Sequence, residues 1–310
     1  MQILVTGGAG FIGSHIVDSL IARGHTVHVV DNLSGGYRDQ VNQAAVFHEL
    51  DIRDESLGKL WETHRFEVLY HLAAQMDVRK SVADPGYDAN VNIGGLLNLM
   101  EAGRSNGLKK VILSSTGGAI YGEPESVPQD ENHTLQPLSP YGITKLCSEK
   151  YLHFYKVTYG IDYVALRYGN VYGPRQNPHG EAGVVAIFSE RMLDGKQASI
   201  NGDGLQTRDY VFVSDVVEAN MKALAFSGSD IFNVGTGVET NVVQLFRTLR
   251  DVLAPEMEEV FAPGQPGEQR RSVLDFGKSK TELGWTPKVD VTQGLGLVAK
   301  WFSDKKKRVG

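Results

Sequence analysis

Cysteine is almost absent from the sequence, which has a single one, Cys147, among 310 residues. A lone cysteine cannot form an internal disulfide, which excludes the small secreted proteins that disulfides hold together. The sequence also lacks an apolar run long enough to span a bilayer and a recognisable signal peptide, so we expect a cytoplasmic protein with no membrane partner. Because Cys147 lies in a predicted helix without His or Cys nearby, we interpret it as a packing residue, with a reactive thiol as the alternative.

The sequence also lacks an excess of positive charge. Its 31 Lys and Arg are outnumbered by 37 Asp and Glu, which gives a formal net charge of -6. Proteins that follow a phosphate backbone usually carry a basic face, so we expect no nucleic-acid partner. The nine His are scattered and belong to no HExxH or paired-cysteine motif, which predicts no metal site. His179, in the run NPHGEAG, is the one expected near a ligand, and we interpret it as a loop residue that hydrogen-bonds locally.

What the sequence does have is a glycine-rich stretch near its start, MQILVTGGAGFIG. An apolar run at 3–5 predicts a buried strand, and apolar residues at helical spacing predict a helix over 11–22. Gly7, Gly10 and Gly13 lie every third residue across the turn between them, where glycine lets the backbone approach an anion at the helix N-terminus. This arrangement predicts a phosphate-binding turn, and a glycine-rich turn without a ligand is the alternative.

An acidic residue follows the next predicted strand. Asp31 ends the apolar run at 27–30, about 20 residues beyond the glycine turn, which is the spacing at which an acid bonds a ribose hydroxyl of a dinucleotide. The same carboxylate would repel a 2′-phosphate. We therefore expect the cofactor to be NAD rather than NADP.

Strand-like runs alternate with helical patterns over the first half of the chain, and this order predicts an α/β fold with a doubly wound parallel sheet of the Rossmann type. The predicted strands are 3–5, 27–31, 46–50, 68–71, 111–115 and 163–167. Sheets of this kind bind ligands beyond the carboxyl ends of their strands, where small or polar residues follow here. We expect those residues to line one crevice.

The alternation weakens beyond Gly173, where glycine, proline and charged residues cluster at 173–178 and again at 263–267. We interpret this part as a second, smaller α/β lobe that holds the substrate. A helical pattern at 216–225 and a strand at 231–234 lie between the clusters, and the strand would return to the first sheet. The predicted NAD-binding domain is 1–172 joined by about 209–236, and the predicted substrate lobe is 173–208 together with 237–310.

A Tyr and a Lys lie four residues apart in the run PYGITKLCSE, which predicts a helix that begins at Pro140. Tyr141 and Lys145 then share one helix face, where the ammonium would lower the pKa of the phenol and make it a usable base. Thr116, at the end of the fifth predicted strand, adds a hydroxyl to the same crevice. Because an amphipathic helix can contain Tyr and Lys at this spacing by chance, a structural role for both is the alternative.

Together the run TGGAGFIG, Asp31, Asn90, the SST run at 114–116 and the YGITK run resemble the extended short-chain dehydrogenase/reductase superfamily. Later runs narrow the resemblance to the UDP-glucose 4-epimerase family, in that family's order and spacing: ALRYGNVYGPRQ, GEAGVVAIF, NGDGLQTRDYVFVSDV, FNVGTG and PGQPGEQRRSVLD. The resemblance covers the whole chain. It implies an NAD-dependent isomerase of galactose metabolism that interconverts UDP-glucose and UDP-galactose through a transient 4-keto sugar.

The resemblance also implies which residues act. Catalysis would fall to Thr116, Tyr141 and Lys145. The implied NAD-binding residues are Gly7, Gly10, Phe11, Ile12, Gly13, Asp31, Asn32, Asp51, Ile52, Leu72, Ala73, Ala74, Gln75, Asn90, Ser114, Tyr141, Lys145 and Tyr168. The implied UDP-sugar residues are Thr116, Asn170, Val184, Arg208, Gln265, Glu268 and Ser272.

Two of these positions bear on substrate choice. Gln265 stands where the family is expected to have an Arg that clamps the diphosphate, so the clamp would rest on Arg208, with Arg175 and Arg270 as candidates to assist it. Ser272 stands where the family places a side chain beside the C2 substituent of the sugar. Its small size would admit N-acetyl sugars, and the alternative is that Ser272 merely caps a strand.

Two other functions stay open. A nucleotide-sugar 4,6-dehydratase or decarboxylase also oxidises C4 first, but it needs a further acid or base, and Thr116 is followed by Gly117 and Gly118. A non-catalytic NAD-sensing or scaffold protein could share the fold, although such proteins commonly lose the Tyr or the Lys. The aromatic run that follows Tyr141 along its helix resembles the helix through which this superfamily often dimerises, so the expected assembly is a homodimer.

Overall fold

The computed structural model describes residues 1–179, 183–264 and 269–309. The strands are β1 (Gln2–Thr6), β2 (Thr26–Asp31), β3 (Val46–Glu49), β4 (Val68–His71), β5 (Lys110–Thr116), β6 (Asp162–Tyr168), β7 (Asn170–Tyr172), β8 (Ser199–Asn201), β9 (Thr207–Phe212), β10 (Asp230–Val234), β11 (Glu239–Asn241), β12 (Val260–Ala262) and β13 (Arg271–Ser272). The α-helices are α1 (Phe11–Ala22), α2 (Leu57–His64), α3 (Val78–Ala83), α4 (Pro85–Ala89), α5 (Gly95–Arg104), α6 (Gly117–Ile120), α7 (Pro140–Tyr159), α8 (Val184–Leu193), α9 (Val213–Ala225), α10 (Val242–Leu253), α11 (Gly277–Thr281) and α12 (Val291–Val309). A 3₁₀ turn spans Arg38–Gln40 and a π-helical turn spans Asn90–Gly94. Within these described ranges, no helix is both long and apolar enough to cross a membrane.

A seven-stranded parallel sheet forms the larger part of the molecule, in the order β10-β6-β5-β4-β1-β2-β3. The predicted α/β fold with a doubly wound parallel sheet is confirmed, and each of its predicted strands is found to within one residue at either end. The chain reverses its direction of growth across the sheet between β1 and β4. A crevice therefore opens beyond the carboxyl ends of these two strands, where a sheet of this kind binds its ligands.

Helices cover both faces of this sheet because its strands are apolar on both sides. On one face the core includes Ile16 and Leu20 of α1 and Val216 of α9. On the other face it includes Trp61 of α2 and Leu99 of α5, together with part of α7. Burial on two faces fixes the register of the strands, and this register places the polar residues that follow each strand at one edge of the sheet.

A smaller sheet follows in the second half of the chain. Strand β9 pairs with β7, β11 and β13, and a separate two-stranded sheet joins β8 to β12. Helices α8, α10 and α12 pack here around Phe188, Phe246 and Val298. Strand β10 returns to the main sheet beside β6, whereas β9 stays in the smaller one. The division into an NAD-binding domain of 1–172 with about 209–236 and a substrate lobe of 173–208 with 237–310 stays a prediction.

Candidate active site

The glycine turn between β1 and α1 is closed by its own backbone. Gly10 donates its N–H to the carbonyl of Gly7 at 3.1 Å, and Gly7 has a φ of +72°, which favours glycine. A Cβ on Gly13 would lie 2.1 Å from that same carbonyl oxygen, so α1 can approach the turn this closely only with glycine there. Phe11 and Ile12 form the first residues of α1. The turn and the helix N-terminus therefore fit the pyrophosphate of a dinucleotide.

Asp31 ends β2 beside this turn and is 7% exposed. Its carboxylate accepts the backbone N–H of Ala9 and that of Leu33, each at 2.9 Å. Burial raises the pKa of the carboxyl. One bond to each oxygen leaves further acceptor capacity on both, so the same group can also receive a ribose hydroxyl.

Several of the candidate NAD-binding residues beyond β2 and β3 are joined by side-chain hydrogen bonds. Asp51 pairs with Arg53 at 2.8 Å and accepts the amide N–H of Asn32 at 2.9 Å. The hydrogen bonds from Arg53 above all hold the pKa of Asp51 well below its usual range. Arg53 also donates to the side chain of Asn90 at 3.0 Å, while Ile52 is buried. Arg53, which no sequence signal indicated, thus bridges Asp51 and Asn90, and Asn32 joins them through Asp51.

The chain that follows β4 lies against the glycine turn. Leu72 and Ala73 both donate their backbone N–H groups to the carbonyl of Thr6, at 3.1 and 3.2 Å. Gly7 is so near that a Cβ on it would lie 2.7 Å from the nitrogen of Ala73. Candidate cofactor residues after β1 and β4 are therefore adjacent, and Ala74 continues the same segment.

A buried carboxylate that the sequence analysis missed organises the residues beyond this segment. Asp88 is 0% exposed and accepts hydrogen bonds from Gln75 at 2.8 Å, Asn92 at 3.2 Å and Thr144 at 2.8 Å. The side-chain amide of Gln75, expected to lie along the cofactor, is held inside this network. Since Thr144 belongs to α7, the network joins the segment after β4 to that helix. The sequence contained little indication of this network, because Asp88 and Asn92, a polar pair four residues apart, could equally lie on the exposed face of a helix.

Helix α7 carries the candidate base, and its start and end follow from local sequence. The side chain of Ser139 accepts a backbone N–H of the first turn at 3.2 Å, and Pro140 occupies the first helical position. The helix ends at Gly160, whose φ is +73°. Tyr141 and Lys145 lie one turn apart, with the Lys145 Nζ 5.9 Å from the centre of the Tyr141 ring.

Burial controls the charge of both side chains. Lys145 is 4% exposed, its Nζ donates to the carbonyl of Ser114 at 2.8 Å, and burial lowers its pKa to about 8. Burial also raises the pKa of Tyr141, and the carboxylate of Asp88 raises it further. The prediction that Lys145 lowers the pKa of Tyr141 is therefore wrong for this structure. Desolvation disfavours the phenolate, and the Lys145 ammonium, 5.9 Å from the centre of the ring, does not offset this effect.

Thr116 and Asn170 meet at the start of α6. Thr116 is the last residue of β5, and a Cβ on Gly118 would lie 3.9 Å from its Oγ1 and 3.8 Å from the Oδ1 of Asn170. Tyr168, the neighbour of Thr116 on β6, is buried, and its hydroxyl accepts a hydrogen bond from Asn220 at 2.8 Å. A hydroxyl and an amide thus lie together where the ends of β5 and β6 reach the crevice.

A buried ion pair holds α7 against the same two strands. Arg167 on β6 donates to both carboxylate oxygens of Glu149 on α7, at 3.0 and 2.7 Å, and the two residues are 2% and 1% exposed. Glu149 also accepts from Ser115 at 2.6 Å, and Arg167 donates to the hydroxyl of Tyr121 at 3.0 Å. Each partner is satisfied, which makes the arrangement rigid.

The candidate substrate residues are brought together only in part. Arg208 on β9 pairs in register with Ser272 on β13, and Ser272 is 2% exposed. Val184 is the first residue of α8. Gln265 and Glu268 lie outside the described residues.

The two arginines considered as helpers for the diphosphate clamp contact carboxylates. Arg175 pairs with Asp18 of α1 at 2.7 Å. Arg270 donates to both oxygens of Asp203, at 2.9 and 2.8 Å. Each charge is already matched, which weakens the case for either residue as part of the clamp.

Comparisons with known proteins agree with this geometry. The sequence profile of the NAD dependent epimerase/dehydratase family matches residues 3–235. The UDP-glucose 4-epimerase of Mycolicibacterium smegmatis is 44% identical, covering 98% of this chain and 99% of that protein. The crystal structure of Thermotoga maritima UDP-glucose 4-epimerase with UDP-glucose is 51% identical, with a TM-score of 0.97 over 99% of this chain and 100% of that one. Thermus thermophilus UDP-glucose 4-epimerase in complex with NAD is 44% identical, with a TM-score of 0.92 over 98% of this chain and 99% of that one.

Proposed function

The chain belongs to the NAD dependent epimerase/dehydratase family, and we propose that it acts as a UDP-glucose 4-epimerase, interconverting UDP-glucose and UDP-galactose through a 4-keto sugar. The observation that carries this proposal is that Lys145, one turn from Tyr141 on α7, donates its Nζ to the carbonyl of Ser114 on β5, the strand that ends at Thr116 in the sheet that bears the glycine turn. Similarity to epimerases over nearly the whole chain supports the same reaction.

The resident cofactor is NAD, which fits the cradle at the glycine turn. The chemistry that NAD supplies when bound is reversible hydride acceptance at the nicotinamide ring. Gly13 lets α1 pack directly against the turn, because a side chain there would strike the turn itself, and this close packing presents the N-terminus of α1 to the pyrophosphate. We assign the adenosine ribose to Asp31, whose buried carboxylate accepts hydroxyl bonds and repels a 2′-phosphate.

Tyr141 is the proposed base that takes the proton from O4 of the sugar. Burial and the carboxylate of Asp88 raise its pKa, so Tyr141 has to lose its proton, with a cationic group beside it to stabilise the phenolate, before it can accept the proton of O4. Lys145 lies one turn away and is anchored by the carbonyl of Ser114, from which it can also hold the nicotinamide ribose. Thr116 donates a hydrogen bond to the reacting oxygen. The proton returns from Tyr141 to O4 when the opposite face of the 4-keto sugar is presented.

The nucleotide end of the substrate belongs to the second lobe. We assign the diphosphate to Arg208, whose guanidinium suits phosphate oxygens, and to Asn170. Gln265 and Glu268 are proposed to contact the diphosphate and the uridine ribose respectively. Val184 and Ser272 complete the proposed substrate residues, with Ser272 beside the C2 substituent of the sugar.

Elimination or decarboxylation is the second candidate reaction, and the residues after the catalytic hydroxyl argue against it. Such reactions need a further acid or base near C5 or C6. Here Gly117 and Gly118 follow Thr116, and Gly118 lies between Thr116 and Asn170 without a titratable group of its own. Similarity to UDP-glucose 4-epimerases also supports the simpler reaction.

We propose that two copies of the chain pair through α7. Ile143, Phe154 and Val157 on this helix are 53%, 46% and 72% exposed, at spacings close to whole helical turns. An exposed apolar stripe of this kind is typical of a protein interface. Mass measured by light scattering tests the dimer. The proposed location is the cytoplasm, in keeping with the single cysteine.

The test of the reaction uses purified protein and UDP-galactose without added oxidant. Formation of UDP-glucose is expected, because the hydride removed from C4 is returned within the same cycle. Tyr141→Phe should lower turnover at least about a hundredfold, the scale of a lost general base. Release of a dehydrated or decarboxylated sugar, or wild-type turnover in a folded Tyr141→Phe protein, would overturn the proposal.

A further inference from the structure

Three imidazoles meet on one face of the main sheet, away from the glycine turn. His28 lies on β2 and His48 on β3, and the register pairs His28 with Val46 and Val30 with His48. Because side chains alternate across a strand, His28 and His48 project from the same face as diagonal neighbours. Nδ1 of His28 and Nε2 of His48 form a hydrogen bond of 3.0 Å, in which either nitrogen can be the donor.

Helix α2 brings the third imidazole onto this face. Leu57 and Trp61 are its buried residues and pack into the core between the helix and the sheet. His64 lies one further turn along the same stripe and is the last residue of the helix. Leu57 and Trp61 hold this face of α2 against the sheet. The same face ends at His64, whose imidazole therefore lies near the edge of the sheet where β2 and β3 pair.

The distances suit a shared ligand. The centre of the His64 ring is 4.3 Å from that of His28 and 6.0 Å from that of His48. One nitrogen from each ring can be chosen so that all three lie within 4.8 Å of one another, and this is the one such group of three found in the described part of the chain. In a tetrahedral zinc site with bonds of 2.0–2.1 Å, ligand nitrogens are about 3.3 Å apart. The separations of up to 4.8 Å between ring nitrogens would have to shorten to about 3.3 Å, and His64, which is half-buried at the end of its helix, is the residue expected to move.

Burial disfavours a positive charge on two of the three imidazoles, His28 and His48. Burial, followed by the neighbouring imidazoles of His64 and His48, lowers the pKa of His28 to about 4. Burial and His64 also lower the pKa of His48. Because Nδ1 of His28 and Nε2 of His48 share one proton in their hydrogen bond, an ion bound by both nitrogens would displace that proton. Phe66 packs against His28 and His64 and keeps the side of the cluster apolar.

We propose that His28, His48 and His64 form a binding site for one zinc-like divalent ion, with the remaining coordination position open to water. Imidazole ligands favour Zn²⁺, Cu²⁺ and Ni²⁺ over Mg²⁺ and Ca²⁺. Such an ion would join the edge strand β3 and the end of α2 to β2. Its role is structural, since none of the three residues belongs to the candidate active site. The inference does not depend on the proposed reaction.

The test is calorimetric titration of untagged, chelator-treated protein with ZnCl₂ and, separately, MgCl₂. The expected result is one tight equivalent of Zn²⁺, no comparable Mg²⁺ binding and a melting temperature that rises with Zn²⁺. His48→Gln and His64→Ala should each weaken Zn²⁺ binding at least about tenfold, the lower end of what even an outer-sphere change costs a metal site. His153→Ala, which removes an exposed imidazole from α7, is the matched control and should bind as the wild type does.

A spectroscopic measurement identifies the ligands independently of folding stability. Cu²⁺ bound at this site should show nitrogen hyperfine splitting in its electron paramagnetic resonance spectrum, and each His variant should simplify that pattern. The epimerase rate with UDP-galactose should be equal in the zinc-loaded and zinc-free proteins. Failure to bind Zn²⁺, or equal binding in the wild type and both cluster variants, would overturn the proposal.

Discussion

Replacing Gly13 by Ala tests whether the glycine turn is the cofactor cradle. The new Cβ would lie 2.1 Å from the carbonyl oxygen of Gly7 and 2.9 Å from the Cα of Gly8. Since non-bonded heavy atoms pack at about 3.5–4.0 Å, the turn or α1 must move by more than ~1 Å. That oxygen also accepts the N–H of Gly10, so the movement opens the turn itself.

The magnitude follows from this displacement. Overpacking of a tight contact costs about 1–3 kcal/mol of folding free energy, so the melting temperature should fall by several degrees. A 1 Å misplacement of binding groups can cost about a hundredfold, and NAD affinity should fall on that scale. Gly10→Ala should be milder, because its nearest contact, also with the Gly7 oxygen, is 3.2 Å.

The assay measures bound NAD in the purified protein, NAD affinity by calorimetry and the melting temperature. Gly296→Ala is the matched control, since its Cβ has no atom within 4 Å and it lies in α12, where Ala is favoured over Gly. The control should retain NAD and melt at or above the wild-type temperature. A Gly13→Ala protein that retains its NAD and wild-type melting temperature would refute the reasoning.

Three further outcomes are expected. Cofactor-stripped protein should regain activity with NAD and not with NADP, because Asp31 repels a 2′-phosphate, and equal rescue by both would refute its role. Asp88→Asn removes a charge that raises the pKa of Tyr141, so the acid limb of the pH–rate profile should move to lower pH, and an unmoved profile would contradict this coupling. Ser272→Tyr should lower kcat/KM for UDP-N-acetylgalactosamine at least about tenfold relative to UDP-galactose, which is ~1.4 kcal/mol of discrimination. If the wild type rejects the acetylated sugar, or the variant leaves the ratio unchanged, Ser272 is not the gate.

The fold could be predicted because its signals are local and periodic. Strands β1, β2, β4, β5 and β6 contain apolar runs that are mostly buried on both faces, and the alternation of strands with helices leaves few possible sheet orders. The family could be predicted for a related reason, since the glycine turn and the YGITK run keep fixed spacings. It was harder to predict which sheet strand β9 joins, because the sheet to which a short strand belongs depends on partners that are distant in the sequence.

The site was predicted less completely than the fold. The sequence brought forward Thr116, Tyr141 and Lys145, whose residue types suit proton transfer. It did not reveal Asp88 or Arg53, because a buried carboxylate and a bridging guanidinium have no periodic signature. The expected lowering of the Tyr141 pKa was wrong because spacing along a helix says nothing about desolvation.

By itself, then, the sequence determined the sheet, the glycine turn and the position of Tyr141 and Lys145 on one helix face, because each depends on residues close together in the chain. Only the tertiary structure decided which distant groups meet. Arg167 and Glu149 form their ion pair, and His28, His48 and His64 their cluster, because separate elements pack against one sheet. Burial, hydrogen-bond partners and pKa values arise from that packing, and so the electrostatics of the active site could not be read from local spacing.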